Sequence, residues 1–79
     1  MINTAVEEGR KNRTIQLVYF SEKDGMVISR EGFPYEVKDQ TLFYYDFQEK
    51  GTRRAKLSNL KSVTPTGRIN PGTPYPCKL

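Results

Sequence analysis

Apolar and polar residues alternate with a period of two along most of the chain, a pattern typical of β-strands. The clearest strand covers 14–20, where β-branched and aromatic residues predominate and Ile15, Leu17 and Tyr19 share one face. An Asp-Gly pair then predicts a hairpin, with the return strand over 26–33. Because both faces of the first strand are partly apolar, we expect the sheet to curl into a small barrel.

Pro34 cannot donate a hydrogen bond to a neighbouring strand, so a bend or a change of edge is predicted there. A short third strand follows it, and a fourth is predicted over 41–47. In the fourth strand Phe43, Tyr45 and Phe47 share one face. We expect that aromatic face to contribute to the core.

A second hairpin introduces the most basic part of the chain. Gly51 ends its turn, and the fifth strand is predicted over 52–57. Successive side chains of a strand point to opposite faces, so the adjacent Arg53 and Arg54 must diverge. A tight turn and a closing strand that ends at Val63 complete the predicted sheet.

The two ends of the chain differ from this central part. Thr4 and Glu7 have the spacing of a capping box, so residues 1–11 are predicted to form a short helix or a tail. Residues 12–64 form the predicted barrel, and the sequence PTGRINPGTPYPCKL predicts an extended or disordered tail over 65–79. The predicted fold class is therefore mainly β, a small five-stranded barrel with a short N-terminal helix and an irregular, proline-rich C-terminal tail.

Composition limits the function classes. A chain of 79 residues has room for one domain, and it contains neither an apolar run long enough to cross a bilayer nor a signal peptide, so we expect a cytoplasmic protein. Cys77 is the only cysteine and histidine is absent, which rules out an internal disulfide and a cysteine zinc cluster. No nucleophile–base pair is visible either, so we expect no metal, no cofactor and no enzymatic activity.

Charge is distributed unevenly along the chain. Residues 1–49 contain six basic and nine acidic side chains, whereas residues 50–79 contain seven basic and no acidic ones, giving a net charge of +4. Polyanions are the obvious partners of such a basic half, because neutralising phosphates releases counterions. The alternative is that the basic residues keep a small sheet soluble and protect its edges.

The region from about 12 to 63 resembles a minimal WYL domain, the small Sm-like or SH3-like β-barrel found in many bacterial regulators. The family's first strand typically ends in a tyrosine before a polar turn, matched by Tyr19 and Ser21, and its second carries an arginine four residues before a proline, matched by Arg30 and Pro34. Its last hairpin carries an arginine ahead of two spaced aliphatic residues, matched here by Arg53, Leu57 and Leu60.

The triplet that names the family falls on Gln40, Thr41 and Leu42, where only the leucine is kept. The YolD-like family of small bacterial and phage barrels is a second resemblance.

The WYL resemblance implies a sensor whose basic pocket binds nucleic acid or a nucleotide-like effector. An arginine fork can bind phosphate through two parallel hydrogen bonds, and tyrosine rings can stack on bases. The candidate ligand-binding residues are Arg53, Arg30, Tyr19, Ser21, Tyr45, Arg54 and Lys56.

Two functions stay open at this point. The first is a non-enzymatic regulatory barrel that binds single-stranded nucleic acid or a nucleotide-like anion. The second is a small protein-binding adaptor that uses an edge strand or the proline-rich tail. In its most specific form this hypothesis is a phage-encoded adaptor that acts on transcription machinery. Association of several copies through edge strands is compatible with either function.

Overall fold

The computed structural model describes residues 1–79, which form one helix and five strands. The helix packs on β1, β2 and β5 through its buried Ala5, Glu8 and Gly9. The helix has no side-chain cap, so the predicted capping box is wrong. The elements in order are α1 (Ile2–Arg10), β1 (Arg13–Ser21), β2 (Met26–Lys38), β3 (Thr41–Asp46), β4 (Gly51–Lys56), a 3₁₀ turn (Leu57–Asn59) and β5 (Leu60–Ile69).

The strands form one antiparallel sheet in the order β4-β3-β2-β1-β5. β4 and β5 therefore lie at opposite ends of the sheet, although only the residues Leu57–Asn59 separate them in the chain. In a flat sheet the two ends would be roughly 19 Å apart, whereas such a link spans at most about 14 Å. The sheet must curl to bring its ends together, and the predicted small Sm-like barrel is confirmed.

The predicted third strand is not separate. β2 continues through Pro34 to Lys38, and its pairing with β3 shifts register between Pro34 and Glu36. A bulge of this kind bends a strand and increases its twist. The expected bend at Pro34 is therefore accommodated inside one long strand.

The expected core face of β3 is wrong. Leu42, Tyr44 and Asp46 are completely buried, whereas Phe43 and Tyr45 are half-buried on the outer face. Both faces of β3 carry aromatic residues, and the two differ in Asp46, which is buried. Its Oδ1 accepts hydrogen bonds from two turn amides, whereas its Oδ2 lies in ion-pair distance of Arg30 and Arg53 without a hydrogen bond. The inward residues complete a core that also contains Ile15, Leu17, Tyr19, Ile28, Ala55, Leu60 and Val63.

β5 continues to Ile69, five residues beyond the predicted barrel boundary at 64. Two contacts hold the extension to β1 and β2. The Thr66 hydroxyl donates to the Thr14 carbonyl at 3.2 Å, and Arg68 donates two hydrogen bonds to the Glu31 carboxylate, at 2.9 and 2.5 Å. The remaining segment after Ile69 lies against the barrel. No helix in the structure has the length and apolar character required to span a membrane.

Gly32 lies where β2 passes closest to β3. A Cβ at this position would be 2.5 Å from the Tyr44 ring and 2.7 Å from the Tyr45 carbonyl oxygen. We predict that Gly32→Ala lowers the free energy of unfolding by about 1–3 kcal/mol, the usual range for overpacking, as measured by urea denaturation. Gly51→Ala is the matched control, because its nearest neighbour would be the Glu49 carbonyl oxygen at 4.0 Å. Equal effects of the two substitutions would contradict this account.

The Arg68–Glu31 contact predicts a pH-dependent contribution to stability. The Arg68 hydrogen bond lowers the pKa of Glu31, with burial opposing it and the Thr14 hydrogen bond assisting it. A carboxyl group whose pKa is depressed on folding stabilises the protein above its unfolded pKa of about 4.3, and that stabilisation is lost as the pH falls through the folded value. Arg68→Ala should therefore lower the melting temperature near pH 7 and have a smaller effect near pH 3.

Circular dichroism melts at the two pH values measure this difference. Lys61→Ala is the control, since Lys61 is exposed on the same strand. If Arg68→Ala lowers the melting temperature by the same amount at both pH values, the ion pair with Glu31 is not the cause of the lower stability.

Candidate anion-binding cleft

The site is organised around Asp46, which ends β3 and is completely buried. Its Oδ1 accepts hydrogen bonds from the backbone N–H groups of Gln48 at 2.9 Å and Glu49 at 3.1 Å. Its Oδ2 lies 3.3 Å from Arg30 Nε and 3.8 Å from Arg53 Nη1. One buried carboxylate thus fixes the β3–β4 turn and orients arginines from two different strands.

Arg30 and Arg53 bring their guanidinium groups to the surface above Asp46, with side chains 21% and 22% exposed. Arg53 Nη2 also donates to Asp24 Oδ2 at 3.0 Å, and the Ser21 hydroxyl donates to the same oxygen at 2.9 Å. The β1–β2 turn is thereby attached to β4. Of the two arginines, Arg53 makes the closer side-chain contacts at the mouth of the cleft.

The pKa of Arg53 is raised above its ordinary value, so its charge is permanent. Burial alone would lower this pKa, but the surrounding Tyr19, Tyr44, Asp24 and Asp46 together outweigh it. The site therefore always presents a cation.

Glu49 is the outermost acidic group of the cluster. Its Oε1 lies 3.8 Å from Arg30 Nη2 and 3.8 Å from Arg53 Nη1, and its side chain is 56% exposed. Both distances exceed the range of a hydrogen bond to nitrogen, about 2.7–3.2 Å. A solvent-facing carboxylate oxygen thus lies between two guanidinium groups without being hydrogen-bonded to either.

Two buried tyrosines lie below the arginines. The Tyr19 and Tyr44 hydroxyls are 2.7 Å apart, and their rings meet edge to face at 6.0 Å. Burial, and then the hydrogen bond with Tyr19, raises the pKa of Tyr44. Tyr19 is only 2% exposed, so its ring packs in the core and offers no free face for stacking.

The cleft has a volume of about 790 Å³ and lies between the β1–β2 turn and β4. One wall is held by Glu22, which accepts hydrogen bonds from Asn59 at 2.9 Å and Lys56 at 3.0 Å. These contacts, with Asn59 contributing most, lower the pKa of Glu22. Seven charged residues line the cleft. Four are basic (Lys23, Arg53, Arg54 and Lys56) and three are acidic (Glu22, Asp24 and Glu49).

The structure brings six of the seven candidate ligand-binding residues to this region. Tyr19, Ser21, Arg53, Arg54 and Lys56 line the cleft. Arg30 lies outside it, in a smaller adjoining depression of about 270 Å³ that shares Asp24, Glu49 and Arg53 with the cleft. Arg53 points inward and Arg54 outward, as predicted from strand alternation.

Tyr45 lies elsewhere, on the outer face of β3, where it contacts Phe47 and Tyr75. The sequence analysis did not identify Asp46, Asp24 or Glu49 as part of the site. An aspartate that ends a strand before a turn often accepts hydrogen bonds from the backbone two residues on, and that signal could have pointed to Asp46. Phe20, which is exposed and lines the cleft, was also missed.

A solved structure similar to nearly the whole chain is Proteasome accessory factor B/C (PafBC) of Arthrobacter aurescens. It matches with a TM-score of 0.70 and 25% sequence identity over 96% of this chain, which corresponds to 13% of that chain. PafBC is a WYL-domain-containing regulator, and the likeness supports a WYL-like fold relationship. No protein-family model and no curated protein matches the sequence.

The role of Asp46 in this site can be tested through stability. Asp46→Ala leaves Arg30 without its buried partner and removes the acceptor for the turn amides, so we predict a loss of about 3–5 kcal/mol in unfolding free energy. Asp46→Asn keeps an oxygen for the amides and should cost less. Urea denaturation gives both values. Glu7→Gln, which removes an equal charge from the exposed side of α1, should be nearly neutral. An Asp46→Ala protein as stable as wild type would disprove the role assigned to this residue.

Proposed function

We propose that the protein is a non-enzymatic regulatory barrel that binds an anionic ligand, single-stranded nucleic acid or a nucleotide-like phosphate, in the cleft above Asp46. The observation that carries the proposal is the position of Glu49. Its carboxylate oxygen lies equally far, 3.8 Å, from two guanidinium groups and is open to solvent. An anion is thus already attracted to this point, but it is held loosely enough to be exchanged.

A phosphate suits this position better than the Glu49 carboxylate does. Guanidinium groups bind phosphate oxygens with short, charge-assisted hydrogen bonds, often two at a time. The turn backbone, which is fixed by Asp46, limits how closely Glu49 can approach the arginines. Exposed ion pairs of this kind contribute about 0–1 kcal/mol, so displacing Glu49 costs little.

The rest of the cleft supports a ligand longer than one phosphate. Arg54 and Lys23 line it without a carboxylate partner within ion-pair distance. Phe20 is 37% exposed beside them and offers an aromatic face for a base. Basic groups combined with an accessible aromatic ring are the usual elements of a sequence-tolerant single-strand site.

The likeness to PafBC favours a regulatory role, because PafBC is itself a regulatory, transcription-related protein. The matched region is 13% of that chain, so a ligand or partner of PafBC is not transferred to this one. The proposed setting is the cytoplasm.

Affinity for a labelled single-stranded DNA oligomer and for a labelled nucleotide can be measured by fluorescence anisotropy at two salt concentrations. We expect saturable binding that weakens with salt, because phosphate neutralisation releases counterions. Arg53→Ala should weaken binding about tenfold or more, since a charge-assisted contact contributes roughly 1.5–3 kcal/mol. Circular dichroism of Arg53→Ala verifies that the protein remains folded.

Glu49→Gln is the more specific test. Removing the competing carboxylate should tighten binding by about 1.5-fold to fivefold, which corresponds to the roughly 0.2–1 kcal/mol of an exposed ion pair. Glu7→Gln changes the net charge equally but lies on α1, so it controls for long-range electrostatics. The proposal is wrong if the wild type does not bind at low salt, or if the two glutamate variants bind equally.

A further inference from the structure

A second surface lies on the outer face of the sheet, where β2 and β3 carry a group of aromatic side chains. Tyr35 and Phe43 have ring centroids 6.5 Å apart, and Tyr45 and Phe47 meet edge to face at 5.3 Å. We call the group Tyr35, Phe43, Tyr45 and Phe47 the aromatic platform. Its strand residues alternate with the buried ones of β3, so it faces away from the ion cluster around Asp46.

The C-terminal segment of the chain occupies this platform. The Tyr75 ring stacks on Tyr35 with centroids 5.0 Å apart and planes 14° from parallel, and it lies 6.1 Å from the Tyr45 ring. The Lys78 N–H donates to the Tyr35 carbonyl at 2.6 Å. Pro74 and Pro76 flank the stacked ring and restrict its backbone, and the chain bends at Pro74 and Tyr75, where the Thr73 hydroxyl donates to the Tyr75 carbonyl at 3.0 Å.

The segment is weakly attached compared with the strands. After Asn70, which donates to the Asn12 carbonyl at 2.7 Å, the Lys78 contact is its one backbone hydrogen bond to the barrel. The Tyr75 hydroxyl makes no hydrogen bond. Pro71 and Gly72, which precede this part of the segment, are exposed. Gly72 has a φ of 118°, a backbone conformation that only glycine adopts readily.

Two side chains anchor the segment: the Tyr75 ring on the platform and the half-buried Leu79, which packs at Gly9 of α1. A short glycine-containing segment connects the barrel to these anchors, and neither belongs to the core cluster, so both can leave without disturbing it.

We propose that the aromatic platform is a docking surface for a partner segment in which an aromatic residue is flanked by prolines, and that residues 73–79 are its resident competitor. The chemistry of the partner is read from the segment that lies there. Proline-restricted segments lose little conformational entropy on binding to aromatic surfaces, which makes them common ligands of this type of groove. The platform adjoins the cleft through the hydrogen bond between Tyr35 and Thr52, but its proposed role does not depend on anion binding.

The tethered tail sets the affinity that such a partner must exceed. A segment connected by a short linker has an effective concentration in the millimolar range at its own site. A free segment of equal chemistry therefore binds poorly to the wild-type protein and well once the resident anchor is removed. Release of the tail would be coupled to capture of the partner.

The probe for this proposal is a fluorescently labelled peptide of residues 70–79, with serine in place of its cysteine, titrated against the full-length protein. Tyr75→Ala removes the resident anchor and should bind the peptide at least about tenfold more tightly than the wild type, because intramolecular competition is removed. Tyr75→Phe is the matched control, since it keeps the stacked ring and loses only a hydroxyl without a partner, and it should behave like the wild type. A peptide whose tyrosine is replaced by alanine should not bind.

Four outcomes would overturn the proposal. The first is equal binding of the peptide to Tyr75→Ala and to the wild type, and the second is binding by the peptide that lacks its aromatic residue. The third is undiminished binding to the double variant Tyr45→Ala, Tyr75→Ala, because Tyr45 belongs to the platform. Last, a concentration-dependent dimer of the wild type in sedimentation, absent in Tyr75→Ala, would make a second copy of this chain the occupant.

Discussion

The buried carboxylate of Asp46 is the interaction on which the rest of this structure depends. A charge with no exposure to water is tolerated only when it is paired and hydrogen-bonded, and Asp46 meets that condition with groups from three parts of the chain. It joins Arg30 of β2, Arg53 of β4 and the turn that connects β3 to β4. Asp46 therefore fixes the relative positions of β2, β4 and the β3–β4 turn at the end of the barrel that carries the ion cluster.

The same arrangement divides the two arginines into a structural side and an exchangeable side. Arg53 Nη2 is hydrogen-bonded to Asp24 and holds β4 to the β1–β2 turn. Arg30 Nη2 and Arg53 Nη1 lie 3.8 Å from Glu49 without a hydrogen bond, and Arg53 Nη1 is equally far from Asp46. In a chain of 79 residues there is little core to spare, so residues that serve recognition also contribute to folding. Substitution of Glu49 should therefore change ligand binding with little effect on stability, whereas substitution of Asp46 should change both.

The alternation of apolar and polar residues was sufficient to predict the barrel and most strand positions, because in most strands every second residue is apolar. It could not decide which face of β3 is inside, since both carry aromatics and the buried aspartate makes the true inner face look more polar. The extension of β5 was missed because Pro65 and Gly67 resemble loop residues. β5 is an edge strand, where a missing N–H can be tolerated, and the Arg68–Glu31 pair holds it in place. The acidic residues of the ion cluster, Asp24, Asp46 and Glu49, could not be predicted. Their contacts with Arg30 and Arg53 depend on which strands are neighbours in the sheet, and local sequence patterns do not specify that.

β3 connects the two surfaces through its alternation. Its inward residues end in Asp46 and so orient the arginines, whereas its outward Phe43 and Tyr45 form part of the aromatic platform beneath Tyr75. A shift of one residue in its pairing would exchange these faces and destroy both surfaces at once, so its register is strongly constrained. The two surfaces adjoin at β4, where the cleft residues Thr52 and Arg54 lie across from Tyr45 and Phe43 of the platform. Two routes connect them: the hydrogen bond between the Tyr35 hydroxyl of the platform and Thr52 of the cleft, and the β3–β4 turn, where Asp46 binds the Glu49 backbone and Phe47 packs on Tyr45.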